Sequence, residues 1–180
     1  MTRFIALFRG INVGKAKRIA MADLRALLES LGYTGVQTLL NSGNALFEAE
    51  GDFGEKHARG IRDAVAKQFG VDALVVVKSA REIAAVVAGN KLAATATDPS
   101  RLLVAITSNA GGLKDIEALG RTGWGEEEIV VGKHAAYAWC PNGILQGKAG
   151  PALLKGLAET GTTRNWATVE KLHAMLQAGV

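Results

Sequence analysis

The sequence is short of several things, and each shortage excludes something. A single cysteine in 180 residues rules out an internal disulfide and any multi-cysteine metal site, and so few cysteines suit a reducing cytosol. No stretch reaches the roughly 18 to 20 apolar residues needed to span a bilayer, and the opening MTRFIALFRG has too short an apolar run for a signal peptide. We therefore expect a soluble, cytoplasmic protein. Aromatics are only 6% of the chain, a thin supply for any surface that stacks bases. Charge of one sign is never concentrated in a tail: 21 basic and 17 acidic residues leave a formal +4, small beside the basic tracts that dominate binding to a phosphate backbone. What is present is ordinary globular material, 48% apolar and 21% charged, long enough to bury roughly 70% of the unfolded chain's surface.

Periodicity orders this material. Phe4–Phe8 is a short continuous apolar run ending at Arg9-Gly10 and is predicted to be a buried strand. Met21, Leu24, Leu27, Leu28 and Leu31 recur at helical spacing before Gly32, which sits where a left-handed cap belongs. Val36–Leu40 and Ala45–Phe47 flank Asn41-Ser42-Gly43-Asn44, a hairpin pattern. Ala58, Ile61, Val65 and Phe69 mark a second helix stopped by Gly70, and Val71–Val77 is rich in β-branched residues, as in a strand. The order β-α-β-β-α-β is the ferredoxin-like arrangement. Ser79-Ala80-Arg81-Glu82 has the form of a capping box that opens a third helix.

Thr95–Arg101 is a polar stretch containing Asp98-Pro99 and serves as the boundary between residues 1–95 and 96–180. Beyond it, Leu102–Thr107 is predicted to be a strand, followed by a helix with Leu113, Ile116 and Leu119. A hairpin then turns at Gly132-Lys133, which suits a type II′ turn, and a short helix carries Leu153, Leu154 and Leu157. Thr162-Thr163-Arg164-Asn165-Trp166 is assigned to the opening of the last helix, with the threonines or Asn165 as caps. The predicted class is α+β, two ferredoxin-like βαββαβ-type halves with antiparallel sheets.

Three segments have site-like chemistry. Arg9-Gly10-Ile11-Asn12-Val13-Gly14-Lys15 follows a strand and precedes a helix, where glycines let backbone N–H groups approach an anion. It is not a nucleotide phosphate loop: the glycines are one residue too close, and Ala16 stands where Ser or Thr would hold magnesium. The loop also holds the one local run of cations, Arg9, Lys15, Lys17 and Arg18, with no intervening acid. Its alternatives are a general anion-accepting loop and a tight crossover. Asn41–Asn44 satisfies hairpin chemistry alone, yet Ser42 and Asn44 also supply neutral donors and acceptors. Arg164 in a helix's first turn would oppose the helix dipole unless an anion answered it, and Thr163 and Asn165 flank it. The leading expectation is thus a cleft formed by these three segments that binds, or weakly transforms, a small anionic or phosphate-bearing ligand. The alternatives are a protein-interaction scaffold and an RNA-binding module stacking bases on central strands, for which Phe4, Phe8 and Phe47 are too few. His57, His134 and His173 lack metal-ligand spacing, Glu126-Glu127-Glu128 is expected to be a solvated run, and Cys140 a packing residue. No metal or cofactor is expected; enzyme status and oligomeric state are left open.

The same segments, R-G-I-N-V-G, S-G-N before an apolar pair, and T-T-R-N-W-x-T, together resemble the bacterial family called domain of unknown function 1697. The resemblance spans nearly the whole chain. It implies an α+β fold with ferredoxin-like units and no activity, and it marks Arg9, Gly10, Asn12, Gly14, Ser42, Gly43, Asn44, Thr163, Arg164, Asn165 and Trp166 as hallmark positions. Lys15 stands where the family often has a further glycine, and Gln146-Gly147-Lys148 where it often has Ser-Lys.

Overall fold

The computed structural model describes residues 1–51 and 54–178. The chain divides into two compact units, residues 1–81 with the segment from 174 onward, and residues 82–173.

The first unit runs β1 (Thr2–Phe8), α1 (Met21–Ser30), β2 (Thr34–Leu39), β3 (Asn44–Ala49), α2 (Gly54–Phe69) and β4 (Val75–Ser79). Its four strands lie in the order β2-β3-β1-β4, every pair antiparallel, which is the ferredoxin-like sheet. Period-two alternation decides the faces. Phe4, Ala6 and Phe8 of β1, Ala45 and Phe47 of β3, and Val75 and Val77 of β4 form one core with Leu24, Leu27 and Leu28 of α1 and Ile61 and Val65 of α2. Phe4 and Phe47 face each other in the ladder with ring centroids 5.6 Å apart. Each fully buried phenylalanine contributes roughly 2–3 kcal/mol. Ile5, Leu7, Leu46 and Val76 belong to the opposite sheet face and are buried as well. The three phenylalanines weighed above for base stacking, Phe4, Phe8 and Phe47, lie on the helix side of the sheet and are not presented on its other face. Gly32 at φ +88° and Gly70 at φ +65° end α1 and α2 as predicted. The strand predicted over 71–77 occupies 75–79 instead. Its partner β1 stops at Phe8, paired with Val75; one further bond, from the Arg9 N–H to the Leu74 carbonyl at 2.9 Å, follows before the turn at Gly10 takes the chain away, so no ladder is available to residues 71–73.

The second unit contains most of α3 (Ala80–Ala88), then β5 (Leu102–Thr107), α4 (Ala110–Asp115), β6 (Glu128–Val131), β7 (Ala136–Trp139), α5 (Ala149–Leu157) and β8 (Gly161–Asn165), and α6 (Trp166–Gln177) begins in it. The sheet order β6-β7-β5-β8, again antiparallel throughout, repeats the first. Leu103, Ala105, Ala136 and Ala138 face Leu113, Ile116, Leu153 and Leu157 in its core. On the opposite face the Tyr137 hydroxyl donates to the Val86 carbonyl at 2.6 Å, and burial pushes that phenol up to about 12.

Two predictions for this unit are corrected. The β6–β7 turn is centred on Lys133-His134, closed by Gly132 N–H donating to the Ala135 carbonyl at 2.8 Å. No residue of 132–135 has positive φ, so the turn is not type II′. Pairing Val131 with Ala136 puts Ala136 and Ala138 into the core, and that register fixes the turn. Second, residues 161–165 are not the opening of the last helix but strand β8, beside β5.

Candidate functional site

β1 delivers the chain into a loop from Arg9 to Ala20 in which Gly10, Asn12, Gly14 and Lys17 all have left-handed backbones, φ +70°, +55°, +62° and +51°. Only glycine adopts this region freely, and asparagine is the next most tolerant. Asn12 is held there by its side chain. Its Nδ2 donates to the carbonyls of Ile19 at 2.9 Å and Asn41 at 2.7 Å, and its Oδ1 accepts from the Ile19 N–H at 2.8 Å. Its own N–H donates to the Lys17 carbonyl at 2.9 Å. One side chain thus closes the loop upon itself and ties it to the β2–β3 turn.

That turn meets the loop by packing as well. The Phe8 N–H donates to the Gly43 carbonyl at 2.9 Å. A Cβ on Gly43 would lie 2.6 Å from Ile11 Cδ1 and 2.8 Å from Phe8 Cβ, and Gly43 has φ +90°, so both space and conformation demand glycine. Asn44 is buried, with Nδ2 donating to the Leu39 carbonyl at 2.7 Å and to Ser42 Oγ at 3.3 Å. Of the residues predicted to touch a ligand, Asn12 and Asn44 are therefore engaged in building the site. Ser42 is exposed, and its hydroxyl, having accepted from Asn44, keeps its own O–H for an outside acceptor.

The loop's outer side is basic. Lys15, Lys17 and Arg18 are exposed and Arg9 is half-buried; Arg18 Nη1 donates back to the Gly14 carbonyl at 3.2 Å. Asp72, whose charge interacts with Lys17, is gripped by Arg62 through Nε at 2.6 Å and Nη2 at 3.0 Å. That hydrogen-bonded pairing holds the Asp72 carboxyl below its ordinary value. Among the described residues the backbone N–H groups of Val13, Gly14 and Lys15 have no hydrogen-bond acceptor.

The Arg9–Lys15 loop and the Asn41–Asn44 turn are thus brought together within the first unit. Arg164 belongs to the second unit and stands in β8 opposite Val104, 9% exposed. Its Nη1 donates to Thr162 Oγ1 at 3.0 Å and to the Thr163 carbonyl at 2.7 Å, and burial lowers its pKa to about 10. The conflict with a helix dipole expected for it does not arise in a strand. Asn165, directly after it, caps α6 by accepting from the Thr168 N–H at 2.9 Å. Thr163 pairs with Ala105, and Trp166 is buried as the first anchor of its helix.

The glutamate run is also corrected. Glu127 is not a solvated residue: its Oε2 accepts from the N–H groups of Lys148 at 2.8 Å and Ala149 at 3.1 Å, which caps α5, while its Oε1 is buried without a partner among the described residues. No local signal could reveal this, because cap and helix lie 21 residues apart in sequence. A cleft of about 350 Å³ runs alongside, lined by Gly120 and residues 122–129. Trp124 covers the edge of the core there, its Nε1 donating to the Leu119 carbonyl at 2.9 Å. Cys140 is buried, its thiol pushed up to about 11 by burial and then by the Glu127 charge, so it behaves as a packing residue. Among the described residues no cluster of His, Cys, Asp or Glu could hold a metal ion, and no helix is long and apolar enough to cross a membrane.

The chain is similar in fold to a solved structure described as that of the conserved bacterial protein SP0830 from Streptococcus pneumoniae, with a TM-score of 0.80 and 24% identity over 98% of this chain and 99% of that one. No curated protein matches the chain. The family model described as protein of unknown function (DUF1697) matches residues 1–137; this chain, with its two ferredoxin-like sheets and its stapled N-terminal loop, belongs to that family.

Proposed function

We propose that the chain binds a small phosphate-bearing anion on the loop from Arg9 to Arg18, with the Ser42 hydroxyl at its edge. The observation that carries this reading is the alternation of left-handed residues at Gly10, Asn12 and Gly14 with ordinary ones at Ile11 and Val13. Alternating backbones of this kind turn successive N–H groups to one side and form a concave, partly positive nest for an anion. Three further features support it: unbonded N–H groups at Val13, Gly14 and Lys15, a cationic rim of Lys15, Lys17 and Arg18, and the Asn12 staple that orders the loop in advance, so that binding has less entropy to lose. Arg164 lies outside this reading because its guanidinium is engaged within its own strand. The reading is of a binding site, and no nucleophile or acid–base pair is assigned to it.

The test is a titration with inorganic phosphate, and then with phosphate monoesters, followed by thermal unfolding and by amide chemical shifts. A ligand at ten times its Kd stabilises by about 1.4 kcal/mol, roughly a 3–6 °C rise for a protein of this size. The shifts should centre on residues 13–18 and 42. Lys15→Ala with Arg18→Ala should abolish the rise, and Arg164→Ala should keep it. No phosphate-bearing compound raising the melting temperature would remove the proposal.

A further inference from the structure

The same loop cluster carries a second feature that a bare phosphate does not explain. Val13 is 70% exposed and Leu40 is 52% exposed, two of the most exposed large apolar side chains of the protein. Each is next in sequence to a member of the Asn12–Asn41 hydrogen bond, so both stand at the junction of loop and turn. Leu40 also holds φ +60°, a backbone that a leucine adopts only at a cost, and such strain on an exposed apolar residue points to a use outside the fold. Around the two apolar tips stand the exposed Lys15, Lys17 and Arg18. Both tips stand out toward solvent.

Protruding aliphatic side chains ringed by cations match one environment in particular, the interface of a bilayer bearing anionic headgroups. There the tips enter the acyl boundary while lysine and arginine stems lie along it with their charges among the phosphates. We propose that the junction of the Arg9–Arg18 loop and the Asn41–Asn44 turn is a peripheral contact for an anionic phospholipid surface, the phosphate of a headgroup being the anion seated on the loop. This rests on the anion-binding reading of the same loop and adds its source. The stapled loop presents Val13 and Leu40 without having to order itself at the surface. The contact is modest, because two aliphatic tips and three cations make a reversible anchor.

The experiment is co-sedimentation of the full chain with vesicles of phosphatidylcholine alone or with about 30–40% phosphatidylglycerol, an anionic surface of the kind that attracts basic segments, beside an inorganic phosphate titration of the same protein. Binding is expected to the anionic vesicles only and to weaken with salt. Each cation removed, as in Lys15→Ala or Lys17→Ala, should weaken partitioning roughly fivefold. Leu40→Asn should weaken it on the order of tenfold, while leaving the phosphate response intact and the melting temperature no lower. The Leu40 side chain is exposed and asparagine suits the left-handed backbone there, so this variant folds. A phosphate response without vesicle binding overturns the membrane proposal and leaves the anion site standing; loss of both responses removes both. Vesicle binding that the Leu40→Asn variant retains in full also overturns it, as attraction by charge alone.

Discussion

Replacing Asn12 by alanine tests the architecture of the loop most directly. The side chain makes three hydrogen bonds of 2.7–2.9 Å, to Ile19 at both its backbone groups and to the Asn41 carbonyl. At about 1 kcal/mol net for each their loss costs roughly 3 kcal/mol. Water regains part of this at the Asn41 carbonyl, because that bond is exposed. Alanine at φ +55° adds about 1 kcal/mol of strain. The expected destabilisation is therefore roughly 2–4 kcal/mol. Glycine at the same position loses the bonds without the strain, so Asn12→Gly should be about 1 kcal/mol milder, and that difference separates the two terms. All three tryptophans, Trp124, Trp139 and Trp166, lie in the second unit, so indole fluorescence is not a local reporter of the loop. Urea unfolding should be followed by far-UV circular dichroism, with amide exchange at Ile19, whose N–H rests on Asn12 Oδ1, as the local reporter. An alanine variant within 0.5 kcal/mol of the parent, with exchange at Ile19 unchanged, would refute the staple and with it the claim that the loop is ordered in advance.

Gly43→Ala should cost roughly 2–4 kcal/mol, from a Cβ pressed to 2.6 Å from Ile11 and from an unfavourable φ of +90°; chemical denaturation checks it, and a neutral result would mean the turn can part from the loop cheaply. His57 accepts from or donates to the Tyr33 hydroxyl at 3.0 Å amid Phe4, Tyr33 and Phe47, and its pKa is lowered chiefly by burial. A histidine lowered in the folded state is protonated more readily in the unfolded chain, so stability should be fully present above about pH 6.5 and fall as the pH drops below it; melting curves across pH 5–8 should lose part of this slope in His57→Gln. Cys140, with its thiol near 11, should resist a thiol-specific reagent at pH 8 in the native protein and react fully in denaturant; rapid native labelling would contradict its packing role.

How much of this was legible in the sequence follows from where its forces act. The first unit's element order can be read from Phe4–Phe8, the helical repeat at Met21–Leu31 and the glycines at 32 and 70, because apolar spacing and left-handed caps are local matters. β8 is not legible in the same way, because its residues form no apolar run. Thr162-Thr163-Arg164-Asn165 is polar, yet its ladder with β5 is fixed by backbone pairing, and seen alone its threonines and Asn165 read as helix caps and its arginine as a first-turn cation awaiting an anion. The β4 boundary and the Lys133-His134 turn depend on the register of a partner strand. At the candidate site, the residue types were visible but not their roles. The bond from Asn12 to Asn41 spans 29 residues, and it is this bond that turns Asn12 from a presumed ligand contact into a staple. The exposure of Val13 and Leu40 had no sequence signal, since aliphatic residues beside a strand look like core.

Asn165 is both the last rung of β8, paired with Leu103, and the cap of α6 through the Thr168 N–H. Strand and helix share a residue, and the junction has no slack. One residue inserted there would swing the helix by about 100° around its axis, carrying Trp166, Val169 and Leu172 from shelter toward water together. Length at this corner is as stringent a requirement as any side chain, and chains that share this architecture can vary their loops far more freely than they can lengthen this joint.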